Sequence, residues 1–307
     1  MRTLVTGATG FVGINLIHRL AESDREPIAL LRPGADRRRL PEGVEVVRGD
    51  ILDPDSLEGA LSGIDAVVHL AASVYPHPEM TRINVEGTEN LLEAAADADV
   101  ERVVFASTIG AHPEVPTDLD SVYQRSKVRA DRLFADGEWP FEHTILYPTY
   151  ILGPRDYRLT RYDLFQRADS NRLLVPPLYT YDEYNIVHVG DVVGTIGAAL
   201  AGRTDRREIV SGPNLTNMEV LRFVARAVDT PCRVVDVPYP LTKYGVVPAI
   251  DAAHRLGVSP VGGSGFAERS DYGTLRADLT EQSPVARRGW RAAIADTAAW
   301  YREVGLL

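Results

Sequence analysis

The first thirteen residues constrain the fold most. Residues 2 to 6, Arg-Thr-Leu-Val-Thr, read as a short buried strand that leads straight into Gly7-Ala8-Thr9-Gly10-Phe11-Val12-Gly13, and Ile14, Leu16, Ile17 and Leu20 then continue with helical spacing to about Ala21. A strand that turns through glycines at 7, 10 and 13 into a helix has a specific use. The glycines permit a tight turn, close backbone approach to a pyrophosphate and close packing of helix on strand. The unpaired N–H groups at the helix start, over Thr9, Phe11 and Val12, then face the phosphates. The pattern predicts a dinucleotide-binding turn and, with it, a doubly wound α/β domain.

The rest of the first half repeats the alternation. Strands are expected at 27–31, 44–47, within 64–72, at 103–106 and at 144–147, with helices at 56–61, 84–96 and 122–134. Continuous apolar strands separated by helices imply a parallel sheet covered on both faces. After Gly153-Pro154 the texture changes to a stretch rich in Tyr, Arg, Asp and Pro. A strand at 185–189, a helix at 191–201 and a strand at 208–210 follow, and a helix at 285–304 ends the chain. The expected architecture is a Rossmann-type doubly wound domain, residues 1–154 plus 185–212. A smaller C-terminal substrate lobe, 155–184 plus 213–307, would cover the carboxyl edge of the sheet, where such folds bind ligands.

Cofactor choice is read from the end of the second strand. An acid that binds the adenosine ribose is usual there, about 20 residues past the glycines. This chain has Arg32, followed by Arg37, Arg38 and Arg39. A guanidinium there pairs with a 2′-phosphate, which favours NADP over NAD; a solvated basic loop is the alternative. Asp50, at the end of the third strand, is placed to accept from an adenine amino group with Ile51 beside the ring, or simply to cap the next segment.

Tyr123 and Lys127 stand four residues apart on one face of a helix, which places a phenol beside an ammonium. Their proximity is expected to lower the phenol's pKa, making Tyr123 a proton donor and acceptor. Of the 33 basic residues only Lys127 and Lys243 are lysines, and Tyr239 precedes Lys243 by the same interval. The second pair lies among prolines with no sheet strand before it, so context selects the first.

Taken in order, Thr6-Gly7-x-x-Gly10-x-x-Gly13, Asn84-Val85-Glu86-Gly87-Thr88, Ser107-Thr108, Tyr123-x-x-Ser126-Lys127 and Pro148-x-x-x-x-Gly153-Pro154 carry a resemblance. The chain resembles the extended short-chain dehydrogenase/reductase superfamily, in its NAD-dependent epimerase/dehydratase and dihydroflavonol-reductase-like branch. The likeness covers residues 1 to about 154 and extends through His188-Val189-Gly190-Asp191 and Ser211-Gly212 to about 212. It implies that Lys127 holds the nicotinamide ribose and tunes Tyr123, the acid/base. Thr108 would hydrogen-bond the reacting oxygen, with Ser107 as its neighbouring substitute. Ala71, Ala72 and Pro148 would line the cofactor, and Asn84 would anchor the helix beside it; strand termination for Thr108 and plain N-capping for Asn84 are the structural alternatives. Helices 84–96 and 122–134 occupy positions that form a dimerising bundle in many relatives, which implies a homodimer.

Two departures shape the expected function. Only 14 residues separate Thr108 from Tyr123, as in an atypical branch with members that bind NADP without known turnover. Tyr147-Pro148-Thr149-Tyr150 stands where nucleotide-sugar enzymes often carry Arg-Pro-x-Asn, so Tyr150 cannot offer the amide that contacts a sugar nucleotide. This leaves room for an aromatic or apolar substrate. The leading expectation is an NADP-dependent oxidoreductase acting on a carbonyl or secondary alcohol of a small molecule. The alternatives are an epimerase or dehydratase with tightly held NAD, and a non-catalytic NADP-binding or assembly protein.

Composition narrows the partners. A formal net charge of −10 argues against nucleic-acid and anionic-membrane surfaces. Cys232 is the only cysteine, so neither an internal disulfide nor a cysteine-based zinc site is available, which fits a reducing cytoplasmic compartment. The seven histidines show no paired ligand spacing, so no metal is expected, and His69 and His188 are read as structural.

Overall fold

The computed structural model describes residues 1–75, 77–115, 121–159, 162–170, 183–234, 241–256 and 288–307. They form two compact units. Unit one holds Met1–Thr149 and Val189–Ser211, and unit two holds Tyr150–His188 and the described residues after Ser211.

Unit one is built on a seven-stranded sheet whose paired strands are all parallel. Its strands are β1 (Arg2–Thr6), β2 (Glu26–Leu31), β3 (Glu45–Arg48), β4 (Ala66–His69), β5 (Arg102–Ala106), β6 (Glu142–Pro148) and, at one edge, Arg207–Val210. The order runs β3-β2-β1-β4-β5-β6 and then that edge strand. The direction of winding reverses between β1 and β4, and at such a switch point the carboxyl ends of the strands leave a crevice. Central strands carry unbroken buried runs, such as Ala66-Val67-Val68-His69, because both faces are covered. The helices are α1 (Phe11–Ala21), α2 (Pro54–Leu61), α3 (Gly87–Asp97), α4 (Val122–Asp136) and the one over Val189–Leu200, which packs against α1. Pro54 opens α2 at its first turn, where a missing N–H costs nothing. Ser121 caps α4 by accepting from the Gln124 N–H. The expected helix at 84–96 instead begins with a π-helical turn, Arg82–Glu86, that leads into α3.

Unit two contains a separate three-stranded sheet. Here β7 (Tyr150–Leu152) pairs parallel with β8 (Glu183–His188), and β10 (Asn214–Thr216) pairs antiparallel with β8; the edge strand of unit one, Arg207–Val210, is β9. This corrects the expected division. Residues 150–154 and 185–188 were assigned to the dinucleotide-binding domain, but their backbone hydrogen bonds run to one another and to β10. The first unit therefore ends at Thr149 and resumes at Val189. Helix α6 is Val189–Leu200 rather than 191–201, and the chain ends in a helix over Trp290–Glu303; the expected residues 285–287 lie outside the described ones. Three helices were not anticipated: α5 (Tyr162–Asp169), α7 (Asn217–Ala227) and α8 (Val247–Arg255), so the terminal helix is α9. Phe165, Ile186, Leu221, Val224, Ile294 and Tyr301 form the heart of this unit's core.

A full capping box starts α7: the Thr216 side chain accepts from the Glu219 N–H while the Glu219 side chain accepts from the Thr216 N–H. Thr216→Ala removes one half of it. The expected loss is about 1 kcal/mol of stability, read as a lower urea midpoint with an unchanged slope. Among the described residues no helix is long and apolar enough to cross a membrane.

Candidate active site

The glycine turn has the geometry its pattern implies. Gly7 adopts φ +66°, and a Cβ there would stand 2.7 Å from the Ala71 nitrogen and the Leu70 carbonyl carbon. A Cβ on Gly13 would lie 2.1 Å from the Gly7 oxygen and 2.9 Å from the Ala8 Cα. Gly10 is the N-cap of α1 and provides no side-chain cap, so the helix start over Phe11, Val12 and Gly13 has no side-chain acceptor of its own. These contacts form a cradle that side chains would fill, and its chemistry suits the phosphates of a dinucleotide.

At the carboxyl end of β2, Arg32 is exposed, and its guanidinium has no partner among the described residues. Arg48, at the end of β3, donates from Nη1 to the carbonyls of Arg32 and Ala35 at 3.0 and 3.2 Å, which braces the loop that carries Arg32. Arg38 is bound to Asp36 at 2.8 Å, so the basic cluster is partly neutralised. Asp50 accepts the Leu52 N–H on Oδ1 at 3.0 Å, the local turn that was the alternative reading, while Ile51 is buried against Gly87.

Between β1 and β4, a hydrogen-bond chain runs under the turn. Thr6 Oγ1 accepts the Leu70 and Ala71 N–H groups at 3.2 and 3.1 Å and lies 2.7 Å from His69 Nδ1. His69 Nε2 is 3.0 Å from Thr88 Oγ1, whose own proton goes to the Asn84 carbonyl at 2.8 Å. Only one proton arrangement satisfies every partner: Thr6 donates to Nδ1, and the imidazole donates from Nε2. Burial, then the Lys127 charge, push the His69 pKa down to about 3, so the ring is neutral. His69 is thus structural, as expected, and His188 lies 3.0 Å from Asp296 within unit two.

Asn84 is not an N-cap. It sits in the π-helical turn, accepts the Ser73 N–H at 2.7 Å and donates to the Ser73 carbonyl and to Ser126 Oγ at 2.9 and 2.8 Å. It therefore ties the segment carrying Ala71 and Ala72 to α4.

The strand end of β5 and the first turns of α4 bring the remaining candidates together. The Thr108 hydroxyl hydrogen-bonds the Tyr123 phenol, which lowers its pKa, but burial is the larger effect and the net result is a phenol pushed up to about 12. The expected lowering by Lys127 is not found. Lys127 is buried, donates from Nζ to the Ala106 carbonyl at 2.8 Å and stacks its charge 4.1 Å over the Phe105 ring. Ser107 faces the other way from Thr108, as alternation along an extended segment dictates. Its hydroxyl donates to Asp131 Oδ1 at 2.6 Å, so it is no substitute for Thr108 beside the phenol. Pro148 is buried at the carboxyl end of β6, paired with Val210. Asp131 itself escaped the sequence reading, although its i+4 spacing from Lys127 is the signal that singled out Tyr123. Tyr239 lies outside the described residues. No cluster of three metal-ligating side chains occurs among the described residues.

The profile described as "NAD dependent epimerase/dehydratase family" matches residues 3–210. Over 339 aligned positions the chain is 28% identical to sterol demethylase protein B of Methylococcus capsulatus, with both chains fully covered. It is 28% identical to ceramide reductase of Caulobacter vibrioides over 99% of this chain and 95% of that one. The crystal structure of gox2253 superposes with a TM-score of 0.79 at 30% identity, covering 99% of each chain.

Proposed function

The chain belongs to the NAD dependent epimerase/dehydratase family of extended short-chain dehydrogenases/reductases, and from that premise we propose that it is an NADP-dependent oxidoreductase interconverting a carbonyl and a secondary alcohol. The observation that carries the reading is the Thr108 hydroxyl on the Tyr123 phenol, one helical turn before a buried Lys127.

The cradle of Gly7, Gly10 and Gly13, with Thr9, Phe11 and Val12, would hold the pyrophosphate. Asp50 and Ile51 would meet the adenine, and Ala71, Ala72, Asn84, Lys127 and Pro148 the nicotinamide half. A nicotinamide bound there supplies or takes up the hydride. The chain's own work is the proton. Tyr123 gives its proton to the carbonyl oxygen in reduction and takes one in oxidation, so atoms and charge balance. Thr108 polarises the same oxygen. An exposed, unpartnered Arg32 on a loop braced by Arg48 supports NADP, because a guanidinium forks onto a 2′-phosphate.

For the substrate, Tyr150 in place of an amide supports an apolar carbonyl compound, as do the sterol and ceramide named for the relatives.

The test pairs a cofactor titration with a substrate panel of long-chain and sterol ketones. NADPH should be consumed in preference to NADH. Arg32→Ala should weaken NADPH about 10- to 100-fold while leaving NADH within twofold. Equal loss for both cofactors would remove Arg32 from the 2′-phosphate. Sugar-nucleotide interconversion without net NADPH consumption would make the protein an epimerase or dehydratase, and tight NADPH binding without turnover a binding protein.

A further inference from the structure

Asp131 is a buried carboxylate that the reaction above does not use. It lies on α4 one turn after Lys127, and both side chains are almost wholly buried. Ser107 Oγ on β5 donates to its Oδ1 at 2.6 Å. The second oxygen, Oδ2, is buried and has no hydrogen bond of good geometry. Its charge is answered by the surroundings: the Tyr147 phenol of β6 stands beside it, and Arg207 of β9 donates from Nη1 to the Tyr147 oxygen at 2.8 Å. Burial is the largest influence and raises the Asp131 pKa, while Ser107, Tyr147, Lys127 and Arg207 act the other way and favour the ionised carboxylate.

We propose that Asp131 is a positioning residue that acts through Lys127, as the buried counter-charge one helical turn away that keeps this ammonium protonated and held on the Ala106 carbonyl. The proposal rests on the placement of Lys127 beside the dinucleotide only for its importance to catalysis; the juxtaposition stands by itself. A buried ammonium without an opposite charge sheds its proton, because desolvation penalises the charged form. Lys127 is subject to that penalty, which pulls it down to about 8, and Asp131 opposes it.

The other groups around the pair do not replace that charge. Within α4, Tyr123 is a neutral phenol throughout the neutral range. From β4, His69 is neutral; β5 offers Phe105, the Ala106 carbonyl and the Ser107 hydroxyl. The π-helical turn meets α4 through Asn84 and Ser126, and the buried face of α3, from Gly87 to Ala95, carries no charge. Among these described elements, Asp131 is the group that raises Lys127.

The lysine-poor composition makes the test direct. With lysine as the only labelled amino acid, ¹³Cε-lysine gives two side-chain signals, Lys127 and Lys243, assigned by Lys127→Arg. In the wild type the Lys127 signal should titrate near pH 8. In Asp131→Asn, whose amide oxygen still accepts from Ser107, the midpoint should fall by about one pH unit or more, a tenfold loss of proton affinity. Asp131→Glu should restore it towards the wild type, while Lys243 stays unchanged in both. An Asp131→Asn protein with native circular dichroism and an unmoved Lys127 midpoint would overturn the proposal and leave Asp131 as a structural acceptor for Ser107. If Asp131→Asn does not fold, Tyr147→Phe decides, since it removes a phenol that favours the ionised Asp131: a Lys127 midpoint that does not fall in folded Tyr147→Phe overturns the proposal. Because the readout is the lysine's own charge, its failure is distinguishable from a failure of the oxidoreductase reading.

Discussion

Gly13→Ala is expected to abolish dinucleotide binding and to destabilise the protein by about 3 kcal/mol or more. The added methyl would stand 2.1 Å from the Gly7 oxygen and 2.9 Å from the Ala8 Cα, and both are backbone atoms that no rotamer change can move aside. Either α1 lifts off the turn or the turn opens. The first exposes part of the buried face of Ile14, Leu16, Ile17 and Leu20, and the second also disturbs Gly7, whose approach to Ala71 leaves no slack. Both outcomes misplace the N–H groups at the helix start. Gly59→Ala is the matched control: it lies inside α2, where an added Cβ meets nothing within 4 Å. There alanine should stabilise by about 0.5–1 kcal/mol, since a helical glycine loses more chain entropy on folding. Denaturation midpoints and fluorescence titration with NADPH read both effects. Wild-type binding by folded Gly13→Ala would show that the turn does not approach phosphates.

That turn was legible in the sequence because three requirements coincide in seven residues: positive φ at Gly7, tight packing at Gly13 and a helix start between them. The parallel strands were legible for a related reason, since buried strands such as Val103-Val104-Phe105 need apolar residues on both faces. Unit two was not. Its strands β7 and β10 are three residues each, too short to show a period, and Pro213 and Pro231 bracket α7 so that the stretch reads as irregular. The overlooked signal was Thr216-x-x-Glu219 before an apolar series, a capping box in plain sequence. In the site, spacing found the right helix face but not the direction of each side chain. Tyr123 and Lys127 are one turn apart, yet the ammonium is held by the Ala106 carbonyl and the phenol by Thr108, so burial rather than the neighbouring charge sets the phenol's acidity. Ser107 and Thr108 looked interchangeable as hydroxyls, but they point to opposite sides, one to Asp131 and one to Tyr123.

Tyr123→Phe should lower kcat for carbonyl reduction by about 10²–10⁴-fold, the usual contribution of a positioned acid, while NADPH affinity stays within twofold. The variant loses one oxygen from a half-buried ring, and the backbone that orients it is untouched: Ser126 Oγ still donates to the carbonyl of residue 123, and Asn84 still holds Ser126. Burial holds the phenol protonated through the neutral range, with its pKa up to about 12. Reduction needs that neutral phenol, so phenol ionisation imposes no loss between pH 6 and 8. Oxidation of the alcohol needs the ionised form, whose fraction rises tenfold per pH unit below the pKa, so the oxidative rate should climb with pH. Thr108→Val should push the phenol higher still, because the hydrogen bond that lowers it is gone, and should depress oxidation more than reduction. Initial rates in both directions across the pH range check the whole set. Turnover by Tyr123→Phe within threefold of the wild type would assign the proton to another group and remove Tyr123 from the reaction.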